Sequence, residues 1–350
     1  MKRLIDKLKK THHLDQGEWI SLIDSRTPLL AEYLFSQARQ VREQHYGKKV
    51  FIRGLLEFTN YCKNDCFYCG IRRSNSNASR YRLDEKTILN CCRNGYNLGF
   101  RTFVLQGGED GYFTDERMVD LIRKIKANHP DCALTLSIGE KSYDTYKAFY
   151  EAGADRYLLR HETFDPCHYR TLHPVSLSAV NRQQCLWDLR DIGFQVGTGF
   201  MVGSPGQTSA HLAQDMLFIE KLRPHMVGIG PFIPHHDTIF ADEPAGSMEL
   251  TLFMLALIRL MLPKVLLPAT TALGTVNEGG REQGILAGAN VIMPNLSPED
   301  NRNKYSLYDN KLSTGAESIE GLNLLKKQMA DIGYEIVTDR GDSLIEYSRK

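Results

Sequence analysis

Val50-Phe51-Ile52-Arg53-Gly54-Leu55-Leu56-Glu57-Phe58 runs straight into Thr59-Asn60-Tyr61-Cys62-Lys63-Asn64-Asp65-Cys66-Phe67-Tyr68-Cys69-Gly70. The first half is rich in apolar and β-branched residues and reads as a buried strand. The second half is a loop that places Cys62, Cys66 and Cys69 in the spacing C-x3-C-x2-C, with no fourth cysteine nearby. A plain electron-transfer cluster takes four protein ligands, usually all thiolate. Three thiolates on a four-iron cluster leave one iron open to a substrate or cofactor. Structural zinc is the competing reading, but it usually wants two separated ligand pairs. The chain has no second C-x-x-C.

Seven more apolar runs follow that strand, at Thr102 to Leu105, Ala133 to Ile138, Arg156 to Arg160, Gln195 to Val202, Met226 to Gly230, Val265 to Ala269 and Asn290 to Met293. Helical stretches separate them; after Thr208, for example, Leu212, Met216 and Ile219 recur at helical spacing. Repeated βα units imply a parallel sheet, and eight of them close a barrel. The expectation is α/β, a (β/α)8 TIM-type barrel. An N-terminal helical segment (1–49) precedes one barrel domain (50–350), which ends in a short helix-and-strand extension. In such barrels the site lies at the carboxyl ends of the strands. The cysteine loop leaves the first strand at that end.

Composition narrows the partners. Net charge is +1, from 43 basic and 42 acidic residues, so nothing favours a nucleic-acid or anionic-membrane surface. The first ten residues carry a charge every two or three positions and lack the apolar core of a signal peptide. No apolar run is long enough to span a bilayer. Eight cysteines without paired spacing fit a reducing cytoplasm. Cys91, Cys92, Cys132, Cys167 and Cys185 are scattered and read as small buried hydrophobes.

C-x3-C-x2-C after the first strand, with the aromatic Tyr68 before the last cysteine, resembles the radical S-adenosylmethionine (SAM) superfamily. Gln106-Gly107-Gly108-Glu109, at the end of the second strand, looks like that superfamily's GGE motif, which contacts the cofactor's amino group. The resemblance implies a 4Fe-4S cluster whose open iron binds SAM, and a 5′-deoxyadenosyl radical released on reduction.

Further segments are similar to the FeFe-hydrogenase maturase HydE family. They are Arg53 to Phe58, Tyr157 to Thr163, Met201 to Thr208, Met226 to His235, Pro268 to Ala272 and Gly288 to Asn295, all at strand ends around one barrel mouth. This implies radical chemistry on a small, cysteine-derived, iron-bearing organometallic precursor during assembly of the diiron centre. Reduced flavodoxin or ferredoxin and other maturation proteins are the implied partners. By the same resemblance Glu162 and Arg182 hold SAM, with Ser137, Gly108, Tyr68, Gly107 and Met201 beside it. Arg160, Thr135, Thr270, Thr271 and Tyr305 line the deeper substrate cavity. Some members carry an accessory cluster near the C-terminus. Lys304 to Gly321 has no cysteine here, so one cluster is expected, which also weakens a biotin-synthase-like reading. A methylornithine-synthase-like enzyme is the alternative within the superfamily, and a three-cysteine metal-binding scaffold the one outside enzymes.

Elementary geometry adds to this. In the Arg156–Arg160 strand and its continuation, Leu158, Arg160 and Glu162 share one face by period-2 alternation. If inward, that face puts an arginine and a carboxylate into a barrel usually filled by branched apolar side chains, where they would pair with a charged ligand or with protein groups. Gly197, Gly199 and Gly203 leave room either for a ligand or for a barrel bend. Adjacent His235 and His236 are expected to point opposite ways as loop residues, with no third metal ligand.

Overall fold

The computed structural model describes residues 1–311 and 319–346. Three helices come first, α1 (Lys2–Thr11), α2 (Gln16–Asp24) and α3 (Pro28–Tyr46). In α3 the Thr27 hydroxyl accepts from Leu30 N–H, Pro28 occupies the first turn and Gly47 ends the helix at φ 60°. Ile5, Trp19, Leu22 and Leu34 from these helices share one apolar core with Leu212, Met216 and Ile219 further along the chain.

The strands are β1 (Lys49–Ile52), β2 (Gly54–Thr59), β3 (Thr102–Gly107), β4 (Ala133–Ser137), β5 (Arg156–Leu158), β6 (Gln195–Thr198), β7 (Met201–Val202), β8 (Met226–Val227), β9 (Gly230–Pro231), β10 (Val291–Ile292) and β11 (Glu335–Val337). The helices between them are α4 (Glu85–Asn97), α5 (Asp115–Asn128), α6 (Tyr143–Glu151), α7 (Pro166–Leu172), α8 (Ala179–Ile192), α9 (Ser209–Leu222), α10 (Met248–Met261), α11 (Thr271–Val276), α12 (Gly280–Leu286) and α13 (Glu299–Arg302); α14 (Ile319–Asp331) precedes β11. From Thr251 to Met261, α10 is buried on every face, as a helix enclosed by neighbours must be.

A parallel sheet runs β2-β3-β4-β5-β6-β8, and β1 lies between β10 and β11. The ring closes through residues 265–269. Leu266 N–H donates to His225 O and Val227 N–H to Leu266 O; Ala269 N–H donates to Val291 O; Phe51 and Arg53 N–H reach Asn290 O and Ile292 O. The fold is the α/β barrel expected, with several strands broken. The first splits at Arg53: β1 pairs with β10, β2 with β3. The seventh run is reduced to isolated bridges, because Pro268 has no N–H to donate and α11 starts at Thr271. The fifth splits at Gly199, where a Cβ would stand 1.9 Å from Gly228 O. That glycine permits two backbones to cross, and a Cβ on Gly197 would meet Leu158 and Met226 side chains. Neighbouring chain crowds both positions.

At the floor, under the amino ends of the strands, a C-terminal segment seals the barrel. Arg156 Nη2 pairs with Asp342 Oδ1 at 2.6 Å and Thr102 Oγ1 donates to Arg340 O. No helix among the described residues is long and apolar enough to cross a membrane.

Candidate active site

The cysteine loop occupies residues 60–84, between β2 and α4. Irregular backbone needs partners, and this loop finds them in distant elements. Lys63 N–H donates to Glu109 O after β3, Phe67 N–H to Leu172 O of α7, and Gly70 N–H to Leu307 O. The Arg80 guanidinium bridges four carbonyls, those of Asn60, Ile71, Arg72 and Asn75. Asn60 Nδ2 ties the loop to Ser79 O and Lys304 O. Gly70 fits because a Cβ there would lie 2.2 Å from His235 Cδ2 and 2.3 Å from Ser306 O.

Cys62, Cys66 and Cys69 open on one chamber of about 350 Å³ inside the barrel mouth. Tyr68, Gly107, Gly108, Glu109, Ser137, Arg160, Glu162, Arg182, Met201, Thr270, Thr271 and Tyr305 line it as well. Thr135 does not. It lines a separate, water-sized pocket at the floor with Arg53 and Arg156, and Leu158 and Met226 form the partition between the two spaces. The reason is depth: along β4, Thr135 precedes Ser137 by two residues, about 6.6 Å.

Burial sets the electrostatics. It pushes all three thiols up, Cys69 to about 12, and the neighbouring cysteines add to the rise at Cys66 and Cys69. Three thiolates together here need a cationic centre, and the donor set fits an iron–sulfur cluster. Burial holds the His173 imidazole down to about 3, so it is neutral where Tyr68 Oη meets its Nε2 at 3.4 Å.

On the facing wall, Arg160 Nη2 stands 3.2 Å from Glu162 Oε2. The distance is that of an ion pair, yet these two atoms and Arg160 Nε are buried without a hydrogen-bond partner. The pair attracts but is misaligned, which leaves donors and an acceptor for a ligand. The Thr270 hydroxyl is likewise buried and unpartnered. Arg182 is more committed: its Nε donates to Arg160 O at 2.9 Å and its Nη1 pairs with Glu140 Oε1 at 3.1 Å. Glu109 pairs with Lys63 at 3.1 Å and accepts from Glu140 N–H.

Sequence reading missed Glu57 and Lys311. Glu57, fully buried on β2, contacts Lys311 Nζ through Oε1 and Asn295 Nδ2 through Oε2 at 2.8 Å. Both residues line the chamber. A partner 254 residues away leaves no local signal. His235 and His236 depart from the alternation expected: their rings stack at 4.4 Å, because a loop, not a strand, carries them. Asp309 does converge on them. Three of the four ring nitrogens already have protein partners, though. His235 Nδ1 accepts from Asp237 N–H, while His236 lies between Asp309 and Asp237. Of the scattered cysteines, Cys92, Cys132 and Cys185 are buried, Cys91 is half-buried and Cys167 is exposed at the start of α7. The cysteine-free stretch Lys304 to Gly321 falls partly outside the described residues, at 312–318.

Comparison with known proteins agrees with this geometry. Residues 56–219 match the Radical SAM superfamily model. The chain is 47% identical over 281 residues to the FeFe hydrogenase maturase subunit HydE of Thermotoga maritima, covering 80% of both chains. It is 27% identical to a 3-methylornithine synthase of Methanosarcina acetivorans over 91% of this chain and 90% of that one. A crystal structure of methylornithine synthase (PylB) superposes with a TM-score of 0.82 at 26% identity, covering 95% of this chain and 97% of the other. A radical SAM barrel, a three-cysteine loop at its mouth and this level of identity lead to one conclusion: the chain belongs to the HydE family of FeFe-hydrogenase maturases, within the radical SAM superfamily.

Proposed function

We propose that this enzyme acts in assembly of the FeFe-hydrogenase diiron centre, on a small cysteine-derived, iron-bearing precursor. Cys62, Cys66 and Cys69 would hold one 4Fe-4S cluster at the chamber they line. When bound, cluster and SAM together supply reductive cleavage of the sulfonium and a 5′-deoxyadenosyl radical.

The chain's own groups do the rest. Glu109, Ser137, Glu162 and Arg182 take the polar groups of SAM, and Gly107, Gly108, Tyr68 and Met201 bound its site. The Arg160 fork suits a carboxylate or another flat anion, because it donates two parallel hydrogen bonds. Thr270, Thr271 and Tyr305 surround the substrate, and Thr135, in the floor pocket, supports that wall from below. Enclosure within the barrel excludes water from the reactive centre. The observation that carries this reading is the unsatisfied Arg160–Glu162 pair on the wall of the chamber that receives the three thiols.

A reduced flavodoxin or ferredoxin as electron donor, other maturation proteins as partners, and a cytoplasmic location belong to the same proposal, supported by the family and by the eight free cysteines. The working unit is taken as residues 50–350, with 1–49 packed on its outside.

A methylornithine-synthase-like reaction is the second reading, favoured by the 0.82 superposition. The 47% identity to the HydE protein weighs against it. The test is substrate-dependent formation of 5′-deoxyadenosine by the anaerobically reconstituted protein. An iron–cysteine complex should stimulate turnover and the amino-acid substrate of a 3-methylornithine synthase should not. The reverse result overturns the proposal.

A further inference from the structure

Glu162 has φ +65°, in the left-handed region. For a residue with a Cβ this conformation is strained and persists only where the surroundings over-determine it. Backbone and side-chain bonds from neighbouring elements fix the turn. Glu162 N–H donates to Gly199 O at 3.1 Å, and Thr163 N–H turns back to His161 O at 2.8 Å. Phe164 N–H donates to Asp215 Oδ1 at 2.6 Å, and the same oxygen meets His161 Nε2 at 3.2 Å. His161 Nδ1 reaches Thr198 Oγ1 at 2.9 Å. Asp215, His161 and Thr198 are buried, and none of them lines the chamber.

Asp215 sits on the buried face of α9, beside Leu212, Met216 and Ile219. Packing alone would choose another apolar residue there, because a carboxylate gives up its hydration on burial. Its Oδ2 has no hydrogen-bond partner; only Oδ1 is used, and it is used twice on one turn.

We propose that Asp215, acting with His161, is a positioning residue: it clamps the 160–164 turn from outside so that Arg160 and Glu162 hold their chamber-facing geometry for cofactor and substrate. This rests on the reading of Glu162 as a SAM-binding residue. Support for metal ligands by groups beyond them is commonly worth 10–100-fold, and a strained turn aiming two charged side chains is an analogous case.

The test uses the full-length, cluster-loaded protein, with SAM affinity read from the SAM-induced change in the spectrum of the reduced cluster. Asp215→Ala should weaken SAM binding about tenfold while iron content stays at the wild-type level. Asp215→Asn keeps an oxygen for Phe164 N–H and should recover most of the affinity. His161→Gln, which leaves the Asp215–Phe164 bond in place, should fall between them and serves if the alanine variant does not fold. Glu162→Ala is run in parallel. If it weakens binding and Asp215→Ala does not, the clamp is refuted alone. If Glu162→Ala has no effect, the cofactor role and the clamp's purpose are both refuted. Equal loss of iron, thermal stability and SAM affinity in the alanine and asparagine variants also refutes it, since that is general destabilisation.

Discussion

Lys311→Met would leave the Glu57 carboxylate without its cation. In the wild-type chain Lys311 Nζ contacts Glu57 Oε1 and donates to Tyr305 O at 3.0 Å, and Asn295 holds the other carboxylate oxygen. Breaking a buried ion pair from one side costs about 3–5 kcal/mol. Asn295 remains, so the loss should lie near the lower end, about 3 kcal/mol. At roughly 2 °C per kcal/mol for a large domain, the unfolding midpoint should drop by about 6 °C. The loss should also depend on pH. Burial pushes the Glu57 carboxyl up, and Lys311 is the main influence holding it down. Removing Lys311 raises the folded-state pKa further above the unfolded one. Between those values the folded chain binds more protons than the unfolded chain, so stability falls as pH rises. The variant should therefore match wild type near pH 4 and show its full deficit well above the raised pKa. Lys311→Met/Glu57→Gln, which removes the charge, should recover most of the loss. Thermal unfolding of both variants from pH 4 to 9 is the assay. A deficit that does not change with pH, or a double variant as unstable as the single one, would refute the reasoning.

Gly70→Ala should disrupt the cysteine loop without unfolding the barrel, because the new Cβ would collide with His235 and the Ser306 carbonyl. Reconstituted iron content should fall while far-UV circular dichroism is kept. Arg53→Met should leave stability within about 1 kcal/mol of wild type or raise it. Arg53 is fully buried, its Nε and Nη2 lack hydrogen-bond partners, and well-packed apolar replacements of buried charges are often neutral or stabilising. Chemical denaturation reads that outcome. Arg160→Met should abolish substrate-stimulated 5′-deoxyadenosine formation while the cysteine loop still takes up iron, since Arg160 lines the chamber and no cluster-loop bond depends on its side chain.

How much of this was legible depends on how local the cause is. Cys62, Cys66 and Cys69 lie within eight residues of loop after a strand, and that spacing alone suits them to one metal centre. Arg160 and Glu162 both line the chamber, on the shared face that period-2 alternation predicted. They reach it by an irregular route, since β5 ends at Leu158 and Glu162 is left-handed. Gly199 was legible as a site of close approach, but not which partner approaches; the answer, Gly228, lies between β8 and β9. Glu57 read as an ordinary strand residue because Lys311 reaches it from the far end of the chain. Thr135 was assigned by resemblance, and strand depth, which sequence spacing does not reveal, puts it under the Leu158–Met226 partition. His235 and His236 obeyed loop geometry instead of strand alternation, and Asp309 arrived from 73 residues away.

The most direct test of the central claim is anaerobic reconstitution of the full-length chain beside a Cys66→Ala variant, with iron, sulfide and 5′-deoxyadenosine measured after reduction in the presence of SAM. The three-thiolate account predicts one 4Fe-4S cluster per chain and 5′-deoxyadenosine from the wild type, and neither from the variant. Bound zinc in place of iron, or a Cys66→Ala chain that still cleaves SAM, would contradict it.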